Sequence, residues 1–336
     1  MELLKPLQWF HKRTSCELLK AHRGWRKSKV FAMHTRFRGL IAAPFTPFKP
    51  DGSLHLEIIP AYARLLKDRG VRAAFVCGTT GEGASLTTEE RQRVAAAWTQ
   101  AASDDFSIIV HVGHTSLTDA CVLATHAQEL GAAAVAALAP YFFKPRNAGE
   151  LVDWCSHLAC AAPHLPFYYY NIPSMTGVDI AGLDFLTQAS SRIPTLAGIK
   201  YTYENLADYE ACVAFADGQF DMLFGRDELL LEGWDKGARG AVGSTYNYAS
   251  PLYLRLIEAM ESGDHARARE HQDQAISMIA ICNDIGVTHL AASKSIMAML
   301  GVDCGPVRRP LAQPSPSQIA DLREKLDTIR LFQFAS

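Results

Sequence analysis

Long apolar runs are missing from this 336-residue chain: none approaches the length that spans a bilayer, and none reads as a secretory h-region. A cytoplasmic protein with no membrane partner is therefore expected. Eight cysteines are scattered, at Cys16, Cys77, Cys121, Cys155, Cys160, Cys212, Cys282 and Cys304, and no two have C-x-x-C spacing. That speaks against a metal ribbon or redox motif and for reduced thiols. The twelve histidines form no H-E-x-x-H or comparable ligand pair, so no metal site is expected. Excess charge of either sign is also lacking. Thirty-three Lys/Arg against 35 Asp/Glu leave a net charge of −2, which argues against general nucleic-acid binding.

What is present is apolar bulk. Hydrophobic residues make up 49% of the chain and charged residues 20%, the profile of a globular protein with a substantial core. The length suits one large domain or two ordinary ones. Charge is unevenly placed. Residues 1–38 hold ten of the Lys/Arg and two of the Asp/Glu, which leaves 23 basic and 33 acidic residues beyond. Residues 1–36 mix Trp9, Phe10 and Trp25 with the basic run Arg23–Lys29 and read as an extension outside the main domain. Two explanations stay open: a basic arm for a partner or organelle, or a start codon assigned too early, with Met33 the natural start.

Beyond the extension, short β-rich runs alternate with amphipathic segments. Strands are expected at 39–43, 73–77, 107–112, 133–138, 165–169, 195–199, 220–224 and 240–243. Helical patterns fall between them, for example at 56–68, 88–100 and 117–130, and Thr87-Thr88-Glu89-Glu90 reads as a capped helix start. Eight alternations within residues 37–262 fit a (β/α)8 barrel better than an open sheet. Residues 263–336 are purely helical in pattern, at 266–285, 288–300 and 317–332, and read as a C-terminal helical appendage.

Polar clusters follow five of the expected strands, where barrel active sites lie. Lys200 ends the buried run Thr195–Ile199 and is followed by Tyr201 and Thr202. Burial strips its ammonium of water, lowers its pKa and frees the amine as a nucleophile. Thirty residues upstream, Tyr170-Asn171 ends the preceding strand. If those strands are neighbours, Tyr170 and Lys200 lie roughly 4.8 Å apart. An amine and a phenol on one face suggest Schiff-base chemistry with a proton relay. Gly78-Thr79-Thr80-Gly81-Glu82-Gly83 is a small-residue loop whose amides and hydroxyls could hold a carboxylate; a phosphate cradle and a plain turn are the alternatives, and no Gly-Lys-Ser/Thr follows. Asp227 and Glu228, after Gly225-Arg226, could start a helix or accept hydrogen bonds from sugar hydroxyls. Ser244 divides the same way. Lys144, before Pro145, is the rival lysine but should be exposed, and His111 reads as a satisfied barrel residue rather than a base.

These motifs together, with Tyr170-Asn171-Ile172-Pro173, Thr176-Gly177, Gly198-Ile199-Lys200 and Gly243-Ser244, resemble the pyruvate-dependent aldolase family typified by dihydrodipicolinate synthase and N-acetylneuraminate lyase, over roughly residues 37–330. The run Gly225-x-Asp227-Glu228 with Gly243–Asn247 is similar to the lyase branch. Met175 stands where the synthase branch carries arginine, and Phe142, beside Tyr141, stands where that branch sends a tyrosine into a neighbouring subunit. Arg226 is not the branch's usual residue. The resemblance implies a class I aldolase that cleaves N-acetylneuraminate to N-acetylmannosamine and pyruvate. It implies Lys200 as Schiff-base lysine, Tyr170 as proton relay, Thr79, Thr80, Thr202 and Gly225 at the substrate, and Asp227, Glu228 and Ser244 on the sugar tail. It implies no cofactor, and a homotetramer. A sister aldolase or dehydratase acting on another 2-keto acid is the alternative, followed by a non-catalytic sugar-acid sensor.

Overall fold

The computed structural model of the protein describes residues 36–334. The expected extension over 1–36 lies, Arg36 apart, outside the described residues. Eight parallel strands close into a barrel in chain order: β1 (Gly39–Ala42), β2 (Ala73–Val76), β3 (Ser107–His111), β4 (Ala134–Leu138), β5 (Phe167–Asn171), β6 (Leu196–Tyr201), β7 (Asp221–Phe224) and β8 (Gly240–Gly243). β1 meets β8 with Gly39 opposite Gly240 and Ala42 opposite Gly243.

The main barrel helices are α1 (Ile59–Asp68), α2 (Thr88–Thr99), α3 (Leu117–Glu129) and α4 (Ala148–Ala161), then the one-turn α5 (Pro173–Thr176), α6 (Gly182–Ala189), α7 (Leu206–Gly218), α8 (Leu230–Asp235) and α9 (Tyr246–Glu261). The appendage follows as α10 (His265–Asp284), α11 (His289–Met299), α12 (Pro316–Thr328) and α13 (Leu331–Phe334). The barrel and its helical appendage are as the sequence leads one to expect. Thr87 caps α2 with a full capping box, its hydroxyl accepting from the Glu90 amide while the Glu90 carboxylate accepts from the Thr87 amide. Among the described residues no single helix is long and apolar enough to cross a membrane.

Alternation along the strands splits the core in two. Small Ala73, Ala134, Ala136 and Ala197 share the barrel interior with large Phe75, Tyr168, Tyr170 and Leu223. Their neighbours Ala74, Val76, Phe167, Tyr169 and Ile199 face the helical shell. Two strands run further than expected. Asn171 pairs with Tyr201, and the Thr202 amide donates to the Asn171 carbonyl at 2.8 Å. Tyr170 and Lys200 therefore sit inside β5 and β6, opposite one another, rather than just past them.

A slip in register decides which way Lys200 points. Phe167 pairs with Leu196, but Tyr168 pairs with Gly198, so Ala197 is one residue extra. Leu196 faces the shell and strict alternation would send residue 200 outward as well. The extra residue reverses that: Ile199 packs in the shell and Lys200 turns into the barrel. Gly198 is needed for this geometry, because a Cβ there would lie 1.7 Å from the Asp221 carbonyl oxygen.

Candidate active site

Lys200 is 4% exposed. Its Nζ lies 4.0 Å from the Tyr170 ring centroid and 4.1 Å from that of Phe75, and it forms no ion pair among the described residues. Burial pulls the ammonium down to about 7, opposed by the Asp227 carboxylate. The Tyr170 hydroxyl is 3.3 Å from Thr79 Oγ1. Burial pushes this phenol up to about 12, against the pull of the Thr79 and Thr202 hydroxyls. Thr202 packs on Gly225, where a Cβ would come 2.0 Å from its Oγ1. Lys144, the rival lysine, is exposed.

The Gly78–Gly83 loop is held from two sides. Thr46 Oγ1 donates to the Gly81 carbonyl at 2.6 Å. Glu82, in the left-handed region at φ 52°, is held through its carboxylate. There Lys294 of α11 meets Glu82 Oε1 at 2.8 Å, and the Arg308 amide donates to Oε2 at 2.7 Å. Lys294 also donates to the Thr46 and Pro306 carbonyls at 2.9 and 2.8 Å. A buried charge is tolerable when so fully partnered. The appendage thus fixes the loop that presents Thr79 and Thr80, both half-buried.

On the opposite rim, Asp227 does not cap a helix. Its Oδ2 accepts from the Thr245 amide at 2.9 Å and hydroxyl at 2.6 Å, tying the end of β7 to the end of β8. With its one proton so used, Thr245 accepts from the Tyr253 hydroxyl at 2.8 Å. Burial raises Asp227 to about 6, although Thr245 holds it down in part. Gln272 of α10 donates to the Asp227 carbonyl and accepts from the Leu231 amide, fixing the same turn. Glu228 pairs with Arg226 at 2.9 Å, and Arg226 with Glu204 at 2.6 Å. Ser244 is half-buried beside Asp227's partner Thr245.

His111 is the satisfied residue expected. The Leu138 amide donates to its Nε2 at 3.4 Å, so Nδ1 carries the proton and donates to the Cys77 carbonyl at 3.1 Å. Burial, with Arg91 and Lys200 nearby, keeps the ring neutral. It packs edge-on to Tyr170 at 5.7 Å. Arg91 supports it through the His111 and Gly113 carbonyls at 2.7 and 2.8 Å.

A cavity of about 470 Å³ opens beside this cluster, with Thr79 and His111 on one side and Thr288, His289 and Leu290 of the α11 start on another. Lys294 and His289 were not singled out by sequence. A lysine in a helical pattern reads as surface, and Thr288, which caps α11 by accepting from the Ala291 amide, is the residue that could have marked the helix start. Among the described residues no group of three or more His, Cys, Asp or Glu could hold a metal ion.

Comparison with known proteins agrees with this geometry. The profile of the dihydrodipicolinate synthetase family matches residues 36–329. N-acetylneuraminate lyase of Mus musculus is 39% identical over 298 residues, covering 88% of this chain and 93% of that protein. The solved N-acetylneuraminate lyase of Proteus mirabilis superposes with a TM-score of 0.85 at 39% identity, covering 88% of this chain and all of the other. The lyase (sialic acid aldolase) of Aliivibrio salmonicida gives the same TM-score and identity over 88% of this chain and 98% of its own. By a match that spans the barrel and the appendage through α12, the chain belongs to the dihydrodipicolinate synthetase family.

Proposed function

We propose that this protein is an N-acetylneuraminate lyase, a class I aldolase that splits N-acetylneuraminate into N-acetylmannosamine and pyruvate. The observation that carries the chemistry is Lys200, buried without an ion pair and 4.0 Å from the ring of its register partner Tyr170. Relatives named for this reaction, matched along most of their length, supply the substrate.

Neutral Lys200 adds to the C2 ketone of the open-chain sugar acid. Tyr170 gives its proton to the departing C2 hydroxyl, which leaves as water, so the iminium and a Tyr170 phenolate form together. Thr79, Thr80 and the loop amides hold the carboxylate, and Thr202 with Gly225 borders the reacting carbons. Tyr170 takes the C4 hydroxyl proton as the C3–C4 bond breaks; the bonding pair moves into the iminium, forming an enamine, and C4 leaves as the aldehyde of N-acetylmannosamine. The phenol is a poor base while Lys200 is neutral. An iminium places a fixed positive charge beside it in a dry pocket, which lowers the cost of the phenolate. Tyr170 then returns its proton to C3, and water releases pyruvate and the amine. Asp227 sets the β7–β8 turn, while Glu228 and Ser244 receive the polyol. Arg226, paired to Glu228, restricts how that carboxylate can turn.

We further infer a cytoplasmic homotetramer. Tyr141, Phe142 and Phe143 form an apolar tip after β4, with Phe142 75% and Phe143 86% exposed, and a neighbouring subunit would cover it. Incubation with pyruvate and borohydride should add one pyruvate-derived mass to the Lys200 peptide, and pyruvate should be released from N-acetylneuraminate faster than from 2-keto-3-deoxygluconate. Labelling of Lys144, or the reverse substrate order, would overturn the reading.

A further inference from the structure

We propose that His289 is a specificity-determining residue, which hydrogen-bonds through Nδ1 to a hydroxyl on the polyhydroxylated tail of the substrate. The inference rests on the lyase reading above. His289 opens α11 and lines the same cavity as Thr79, the residue that touches the Tyr170 hydroxyl. Its other nitrogen, Nε2, is 3.5 Å from the hydroxyl of Tyr248, which follows β8 closely and is itself held by Ser293 at 3.0 Å. The ring is thus oriented from behind by its Nε2 side. Nδ1 is buried and has no hydrogen-bond partner among the described residues. A buried polar atom without a partner is costly, and such atoms are ordinarily satisfied by a ligand or water.

The position of His289 selects the part of the substrate it meets. The pyruvyl end is fixed at Lys200, Tyr170 and Thr79, deep in the barrel. His289 comes from the appendage, and its ring lies against Tyr248 of α9, the helix that follows β8. Burial pulls its imidazolium down, and the Glu228 carboxylate pulls it up. A ligand long enough to reach from Lys200 past Thr79 into the cavity would meet His289. A three-carbon keto acid would not.

The test compares His289→Phe, His289→Asn and His289→Gln in the full chain. An asparagine amide can occupy the place of Nδ1, a glutamine amide that of Nε2. On N-acetylneuraminate, kcat/KM should fall about five- to a hundredfold in His289→Phe and His289→Gln, and by much less in His289→Asn. On 2-keto-3-deoxygluconate the change should stay within about threefold, and borohydride trapping of pyruvate at Lys200 should be untouched. An equal fall on both substrates, or no fall on either, would overturn the role of His289. Equal behaviour of the Asn and Gln variants would overturn the assignment to Nδ1. If the unsubstituted protein fails to cleave N-acetylneuraminate yet traps pyruvate, the lyase reading itself fails, and this inference with it.

Discussion

The pH dependence of imine formation is the sharpest consequence of how Lys200 is buried. Its pKa of about 7, against 10.5 in water, is caused first by lost hydration. At pH 7.4 an amine of pKa 7 is about 70% neutral, whereas one of 10.5 is about 0.1% neutral, so burial raises the nucleophilic fraction on the order of 10³-fold. The rate of borohydride-trapped imine formation with pyruvate should therefore rise with pH through about 7 and level off above it. Two substitutions should move that midpoint in opposite directions. Phe75→Ala removes a ring 4.1 Å from Nζ and admits water, so the charged form recovers hydration and the midpoint rises. Asp227→Asn removes the one carboxylate that favours the ammonium, so the midpoint falls. A raised midpoint slows the reaction at pH 6 in Phe75→Ala, and a lowered one speeds it in Asp227→Asn, by up to about tenfold for each pH unit the midpoint moves. The rates would be followed by quenched labelling from pH 5 to 9. A midpoint near 10, or movement in the same direction in both variants, would refute the argument.

Three further outcomes are expected. Tyr170→Phe keeps the packing against Phe75 and His111 but removes the hydroxyl proposed as the proton relay; turnover on N-acetylneuraminate should drop about 10²–10⁴-fold, measured by pyruvate release, and an unchanged kcat would remove Tyr170 from the mechanism. Gly198→Ala must displace either its own strand or Asp221, since the added carbon would sit 1.7 Å from a carbonyl oxygen; a displacement of about 1 Å at Lys200 should cost about 10²-fold in imine formation, and wild-type trapping rates would show that the bulge tolerates a side chain. Lys294→Met leaves Glu82 charged and buried, so stability should fall by about 3–5 kcal/mol in denaturant unfolding, and Glu82→Gln added to it should restore much of the loss; failure of the double variant to recover would mean that the pair does not act as a unit.

The barrel was legible because its strands are short, apolar and evenly spaced, and because closure demands eight of them. The strand ends were less so. Asn171 and Tyr201 extend the ladder although one is polar and the other is followed by Thr202; the ladder satisfies their backbone groups, while the Asn171 side-chain amide is buried with no hydrogen-bond partner among the described residues. Lys200 and Tyr170 were readable as a pair, but the direction of Lys200 was not. It depends on the extra residue at Ala197, and a bulge without a marked turn residue is silent in sequence; Gly198 alone hints at it. Asp227 was readable as a rim acid, but not as the tie to Thr245, because that contact joins residues 18 apart across two strand ends. His289 and Lys294 come from beyond the barrel, and no local pattern tells which face of α11 looks into the mouth.

Two lysines are buried to almost the same degree, Lys200 at 4% and Lys294 at 3%, and their surroundings suit one to the proposed chemistry and the other to structure. Burial lowers the ammonium pKa of both. Lys294 answers it with a carboxylate at 2.8 Å and two carbonyls, three acceptors for three protons. Its charge is matched and its position fixed, which suits an anchor for the Thr79–Thr80 loop. Among the described residues Lys200 has two aromatic faces and a more distant Asp227. Ring faces attract a cation weakly and do not replace its lost hydration, so the proton leaves near neutral pH. The same shell that makes the free ammonium unstable suits the iminium. That ion carries its charge by covalent necessity, spread over nitrogen and C2, with π-faces beside it and, in the proposed mechanism, the substrate carboxylate in the Thr79–Thr80 loop. The folded state should therefore gain stability when Lys200 is replaced by methionine, most below pH 7, where the folded lysine is charged. The gain should fade between pH 7 and 10.5, as the folded amine stays neutral and the unfolded one loses its proton last. Equal stability of Lys200→Met and wild type across that range, in denaturant unfolding, would show that the lysine is not strained in the way its chemistry requires.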